Sequence, residues 1–132
     1  MSGPAKRIHQ RYACRIQVKA VIPGVRERIV FAELLDLGQG GALVSVKAIL
    51  NGPVIELIVP MDGTEQRFKA RIMRTIGRDS HDARFTHYGV RWELHMGNET
   101  HLKRLLDMVR TGKMGSPTKG GDNGLSRDYW SL

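Results

Sequence analysis

Arg7 and Arg11 stand four residues apart in the opening segment Arg7-Ile8-His9-Gln10-Arg11, and a short acidic, glycine-rich stretch follows at Asp36-Leu37-Gly38-Gln39-Gly40-Gly41. A guanidinium fork takes phosphate oxygens, or the O6/N7 edge of guanine, in paired hydrogen bonds. A carboxylate accepts from guanine's N–H groups, and glycine lets a backbone approach a ligand closely. Together these pieces have the chemistry of a guanine-nucleotide reader. In an extended segment the two arginines fall on one side, about 13 Å apart if fully stretched. Taken separately they read more plainly: two solvated charges, and a β-turn in which Asp36 supplies a side-chain bond and the glycines supply positive φ.

In this order and separation the two stretches resemble the PilZ domain, a bacterial receptor family for cyclic di-GMP whose pattern is R-x-x-x-R followed by D/N-x-S-x-x-G. Arg7 and Arg11 match the first part, Asp36 and Gly41 the second, and Gly38 stands where the family has serine. The run from Lys6 to Val18 and the segment Tyr88-Gly89-Val90-Arg91-Trp92 are similar too, so the likeness spans roughly residues 5–110. The resemblance implies that Arg7 and Arg11 clamp phosphate and guanine. It gives Lys6 the place of a basic residue that accompanies two stacked ligands. In the last strand Arg91 offers a cation and Trp92 a stacking face for guanine, although a tryptophan in an alternating strand more often belongs to the core. Gly38 lacks the serine hydroxyl, a hydrogen bond worth about 0.5–1.5 kcal/mol; a backbone N–H or Gln39 is placed to replace it.

Composition sets the bounds. A chain of 132 residues makes one domain, with 41% hydrophobic and 26% charged residues, ordinary for a globular fold. The net charge of +8 and pI near 10.2 favour anionic partners without choosing among them. A single cysteine, Cys14, excludes an intramolecular disulfide and a cysteine-based zinc site. A polar start and the lack of a long apolar run point to a cytoplasmic protein without membrane insertion. His81, Asp82 and His87 lack a third histidine for a metal, and neither Ser45 nor Ser80 has a base with an orienting partner. No P-loop or G-x-S-x-G is present, so no enzyme is expected. Only 6% of residues are aromatic, too few for the stacking groove of a nucleic-acid-binding barrel.

These residues need a scaffold, and the chain reads as short strands punctuated by turns. Strands are expected over 15–22, 28–35, 42–46, 54–59, 67–76 and 83–94. Asn51-Gly52 and Asp62-Gly63 act as hairpin signals, and Phe68, Ala70, Ile72 and Arg74 share one face of the fifth run. Asn98 caps a helix whose Leu102, Leu105, Leu106 and Val109 recur at helical spacing and plug the barrel end, with Gly112 as its stop. The expectation is an all-β fold: a small antiparallel β-barrel of six or seven strands with a C-terminal α-helix. A flexible basic arm (1–14) precedes the barrel and helix (15–110), and a Gly/Ser-rich disordered tail (111–132) follows. The expected function is a cyclic di-GMP effector, without other cofactor, that changes surface on binding and signals to a protein partner in motility, exopolysaccharide or virulence control. The alternatives are an adaptor of the same fold that has lost the nucleotide, and a basic nucleic-acid-binding barrel.

Overall fold

Six strands and one helix make up the computed structural model, which describes residues 10–95 and 97–114. They are β1 (Arg11–Ile22), β2 (Arg28–Gly38), β3 (Gly41–Val46), β4 (Val54–Met61), β5 (Thr64–Arg78), β6 (Thr86–Trp92) and α1 (Asn98–Arg110). The strands pair antiparallel in the order β1-β2-β3-β6-β5-β4, and β4 returns to β1 to close the barrel. The all-β barrel with a terminal helix is thus the architecture, with six strands.

The two-residue period explains which side chains fill it. Ile16, Val18 and Ala20 on β1, Ala42, Val44 and Val46 on β3, and Phe68 and Ala70 on β5 all point inward and are buried. Alanines at 20, 32, 42 and 70 leave room for Phe68, Tyr88 and Trp92, the alternation of small and large that fills a narrow barrel.

α1 closes one end. Leu102, Leu105 and Val109 are buried against the core, and Leu106 is half-buried beside them. Each buried leucine contributes about 1.5–3 kcal/mol. Asn98 does not cap the helix. Gly97, at φ 100, holds the cap position, and the Asn98 amide donates instead to the Arg67 carbonyl at 2.6 Å, tying α1 to β5. At the other terminus Gly112 takes φ 76, its N–H bonds Val109's carbonyl, and Lys113's N–H bonds Met108's carbonyl. That pair is a Schellman stop. Met114 then packs half-buried on the core, and residues 115–132 of the expected tail lie outside the described residues.

The opposite end is closed by the connection between β3 and β4. Tyr88's hydroxyl accepts Leu50's N–H at 2.8 Å there. Asn51-Gly52 therefore makes no hairpin: β3 pairs with β2 and β6, β4 with β1 and β5. A dipeptide signals a turn, but closure of the barrel chooses the partner. Asp62-Gly63 does make one, with both residues at positive φ and Met61 opposite Thr64, as a type I′ turn requires.

Two strand starts move, and one side chain changes face. β1 opens at Arg11 rather than Arg15, because its first residues find partners on β2 beyond a register shift. β6 opens at Thr86, since Asp79's carboxylate accepts the N–H groups of His81 and Asp82 and prolongs the turn. Arg74 is exposed and leaves the inward face, because a bulge between Ile72 and Arg74 breaks the alternation.

Candidate functional site

The acidic glycine stretch is the β2–β3 turn, and the register of its neighbours decides what surrounds it. Arg11 pairs with Gly38 across β1 and β2. Gly41 pairs with Arg91 across β3 and β6. Residues directly opposite in an antiparallel pair share a face, so each of these glycines, itself buried, sets no side chain beside an arginine. A serine at position 38 would stand next to Arg11.

Asp36 reaches the outer face through a bulge. Leu34 pairs with Val44, and the next β2 residue in register, Asp36, pairs with Leu43. Leu35 is the extra residue. Without it, strict alternation from the inward Leu34 would drive Asp36 into the core; bulges re-aim side chains in this way. Asp36 is nevertheless 2% exposed and Arg11 8% exposed, and neither is without a polar partner. A charge this buried is held in place by its surroundings.

Trp92 anchors the turn from inside. Its indole N–H donates to the Gly38 carbonyl at 2.9 Å and its backbone N–H to the Gly40 carbonyl at 3.1 Å. The ring is buried and tilted against Phe68, with centroids 5.7 Å apart. Of the two places open to a tryptophan in an alternating strand, Trp92 takes the core one and not that of a stacking face for guanine. Trp92 supports the site by fixing the carbonyls of its turn. The glycines also act differently from expectation, since none of Gly38, Gly40 and Gly41 adopts positive φ.

On the outer face Arg91 is exposed. It stands directly opposite Arg71 on β5, while Arg74 pairs with Gly89 one step along the same strands. Like charges placed opposite each other are destabilising. Glu93 relieves part of that by bonding Arg71 at 2.5 Å. The result is a cationic strip beside a floor of glycine: Arg71, Arg74 and Arg91 next to Gly41 and Gly89. Sequence reading missed Arg71, Arg74 and Gly89. A glycine inside a strand marks a close approach, and Gly89 was the available signal; nothing local shows that β5's arginines lie beside it.

A cleft of about 310 Å³ adjoins the turn, lined by Gln10, Tyr12, Gln39, Lys103, Leu106, Asp107 and Arg110. Tyr12's hydroxyl donates to Gln10 at 2.8 Å, and Arg110 pairs with Asp107 on the helix. Here α1 supplies cations that a reading of the motif alone does not suggest. Cys14, behind the site, is 1% exposed and its Sγ–H donates to Leu34's carbonyl at 3.6 Å. Burial first, then the negative charges of Asp36 and Glu33, push its pKa up to about 12. It is an inert core thiol.

Lys6 and Arg7 lie outside the described residues. Among the others, the structure brings Arg11, Asp36, Gly38, Gly41 and Arg91 to one end of the sheet, with Trp92 beneath them.

The chain matches the PilZ domain family over residues 5–108. It belongs to that family. Comparison with solved structures finds similarity to the PilZ domain with c-di-GMP of YcgR from Escherichia coli, at 16% identity and a TM-score of 0.63, covering 81% of this chain and 93% of that one. MrkH, described as a c-di-GMP dependence transcription regulatory factor, is similar at 11% identity and a TM-score of 0.56 over 80% of this chain. The match spans only 52% of MrkH, and at these identities the likeness shows the PilZ fold. Comparison with curated protein sequences returned no match. Among the described residues no helix is long and apolar enough to cross a membrane.

Proposed function

We propose that this PilZ domain is a cytoplasmic, non-catalytic receptor for cyclic di-GMP that passes the signal to a protein partner. The observation that carries the reading is the register of the glycine turn: Arg11 opposite Gly38 on one side, Arg91 opposite Gly41 on the other. A ligand with two phosphates and two guanines needs cations that flank a surface its rings can approach. Two arginines beside two glycines supply that, and Arg71 and Arg74 extend it.

Each residue then has a task. Arg11 and Arg91 take phosphate oxygens or a guanine edge with their forks. Asp36 accepts from guanine N–H groups, and Gly38 and Gly41 leave the approach open. Trp92 keeps the turn's carbonyls fixed, so the site is organised before binding. Arg7 and Lys6 complete the cationic set from the N-terminal side, and Lys6 favours two stacked ligands over one. Binding draws the N-terminal segment against the turn and the adjoining cleft, and the altered surface is what the partner reads in controlling motility, exopolysaccharide production or virulence.

Isothermal titration with cyclic di-GMP tests the reading, with GTP and cyclic di-AMP as controls. Saturable heat from cyclic di-GMP alone is expected, and its stoichiometry counts the ligands. No heat up to about 100 μM, which would leave binding weaker than about −5.5 kcal/mol, sinks the reading and leaves an adaptor that acts without nucleotide.

A further inference from the structure

Independently of the nucleotide site, we infer that the β1–β2 hairpin is a docking edge for an extended, acidic and apolar segment of a partner protein, which adds as a short strand to β2. Three observations carry this. The first is an unfinished edge. β3 ends at Val46, opposite Ala32, and only Lys47's N–H reaches further, donating to Phe31's carbonyl at 2.9 Å. The backbone groups of alternate residues in a strand face the same side, so Ile29's N–H and C=O point to that side as well. There β3 has ended and the chain turns away over the barrel end through Ala48 and Leu50, both half-buried on the core.

The second is apolar surface beside that edge. Ile29 is 56%, Phe31 68% and Val25 107% exposed. Val21 and Ile58 are buried but are not members of the core cluster. Register places Val21 opposite Ile29 and Lys19 between Phe31 and Ile58. On this outer face the apolar side chains Ile58, Val21, Ile29 and Phe31 therefore alternate with Lys19 and Glu56 across β4, β1 and β2, and they are exposed only on β2, at the unfinished edge.

The third is charge. Arg26 and Arg28 flank the exposed strip, and Lys47's ammonium lies 5.8 Å from the centre of Phe31's ring. Carboxylates on the adjoining strands are matched within the fold, Glu33 by Arg15, Glu65 by Lys19 and Glu56 by Arg67. Glu27, between Arg26 and Arg28, leaves the hairpin with a net positive charge of one, to which Lys47 adds. A second copy brought edge to edge would oppose two hairpins that each carry a net positive charge, with only Glu27 to offset Arg26 and Arg28. A lipid surface would leave Ile29's backbone groups without partners in hydrocarbon. A strand alternating apolar and acidic side chains answers all three features at once, in the manner of strand addition.

The test is fluorescence anisotropy on the full chain, with a short blocked peptide that alternates Val or Ile with Glu or Asp. Saturable binding is expected, weakened at least about tenfold by Ile29→Ser or Phe31→Ser. Arg28→Glu should move preference to a peptide with Lys in place of Glu and Asp. Methylating alternate peptide nitrogens should abolish binding for one set and spare it for the other, since only one set faces β2. Ile29 and Phe31 are exposed, and an unchanged Tm confirms that each variant is folded. The inference is overturned by no saturation up to about 1 mM, or by equal loss from both methylated sets. It is also overturned if the peptide is inert while Phe31→Ser abolishes either binding to phosphatidylserine-containing vesicles or a dimer seen in sedimentation.

Discussion

The two ends of this barrel invert one another. At the α1 end two charged groups, Arg11 and Asp36, are buried beside a turn fastened by Trp92, and the apolar face of the helix is covered. At the hairpin end Val25, Ile29 and Phe31 stand in solvent beside a strand edge that its neighbour does not complete. Buried charge held by a rigid frame suits a small anionic ligand, because the arrangement exists before binding. Exposed apolar surface with open backbone groups suits a polypeptide, which can supply both burial and hydrogen bonds. One sheet can serve both because β2 runs from one end to the other, from Arg28 beside the hairpin to Gly38 beside Arg11.

The sharpest way to break this contrast is to remove a large side chain from each end. Trp92→Ala should cost about 3–5 kcal/mol in denaturant unfolding and abolish cyclic di-GMP binding with it. Phe31→Ala should stay within about 0.5 kcal/mol of the parent. Comparable losses at both ends would show that the hairpin face is structural after all. Trp92→Phe refines the first experiment. It retains most of the ring but leaves Gly38's buried carbonyl without its donor, a loss of about 1–3 kcal/mol.

The site itself divides in the same way between buried and exposed arginine. Arg11→Ala and Asp36→Ala should each lower stability by about 1–3 kcal/mol, because each removes one member of a buried polar set, and should also remove cyclic di-GMP binding. Arg91→Ala, at an exposed position, should weaken binding about tenfold at unchanged Tm, the share of one charge-assisted contact. A fall in Tm for Arg91→Ala, or none for Arg11→Ala, would reverse the assignment. Melting curves and calorimetry on the same variants separate these outcomes.

Smaller effects follow from titration. Cys14, with its pKa pushed up to about 12, should resist thiol reagents at neutral pH until the chain unfolds. The shift favours the neutral thiol in the folded state. Its contribution to stability is complete below the unfolded pKa near 9 and fades as pH rises toward 12. Reaction with iodoacetamide at pH 8, with and without denaturant, measures the difference. The smallest effect is at the β5–β6 turn, where Arg84's side-chain and backbone bonds hold Asp82 down to about 2. That stabilisation is present above the ordinary carboxylate pKa and disappears as pH falls toward 2. Asp82→Asn should therefore differ slightly from the parent at pH 6 and converge with it in acid, seen as Tm against pH.

Much of this was legible in the residues. Alternation in 16–20, 42–46 and 68–70 described a half-buried sheet, and Leu102, Leu105 and Val109 described a helix with one apolar face. Both follow from fixed backbone periods that local sequence carries. Asp62-Gly63 and Gly112 named their turns because few residues tolerate positive φ. Arg11, Asp36, Gly38 and Gly41 were legible as a pattern of types and spacing. What the pattern could not contain was their setting. The bulge at Leu35 that turns Asp36 outward, the pairing of Arg91 with Gly41 and Arg71, and the inward ring of Trp92 depend on which strands become neighbours. The same holds for Asn51-Gly52, a turn signal spent on a crossing connection, and for Asn98, whose amide goes to β5 rather than to its own helix. Side-chain types and local periods belong to the chain itself. Neighbourhood across the barrel belongs to closure, a condition that only the folded strands can meet together.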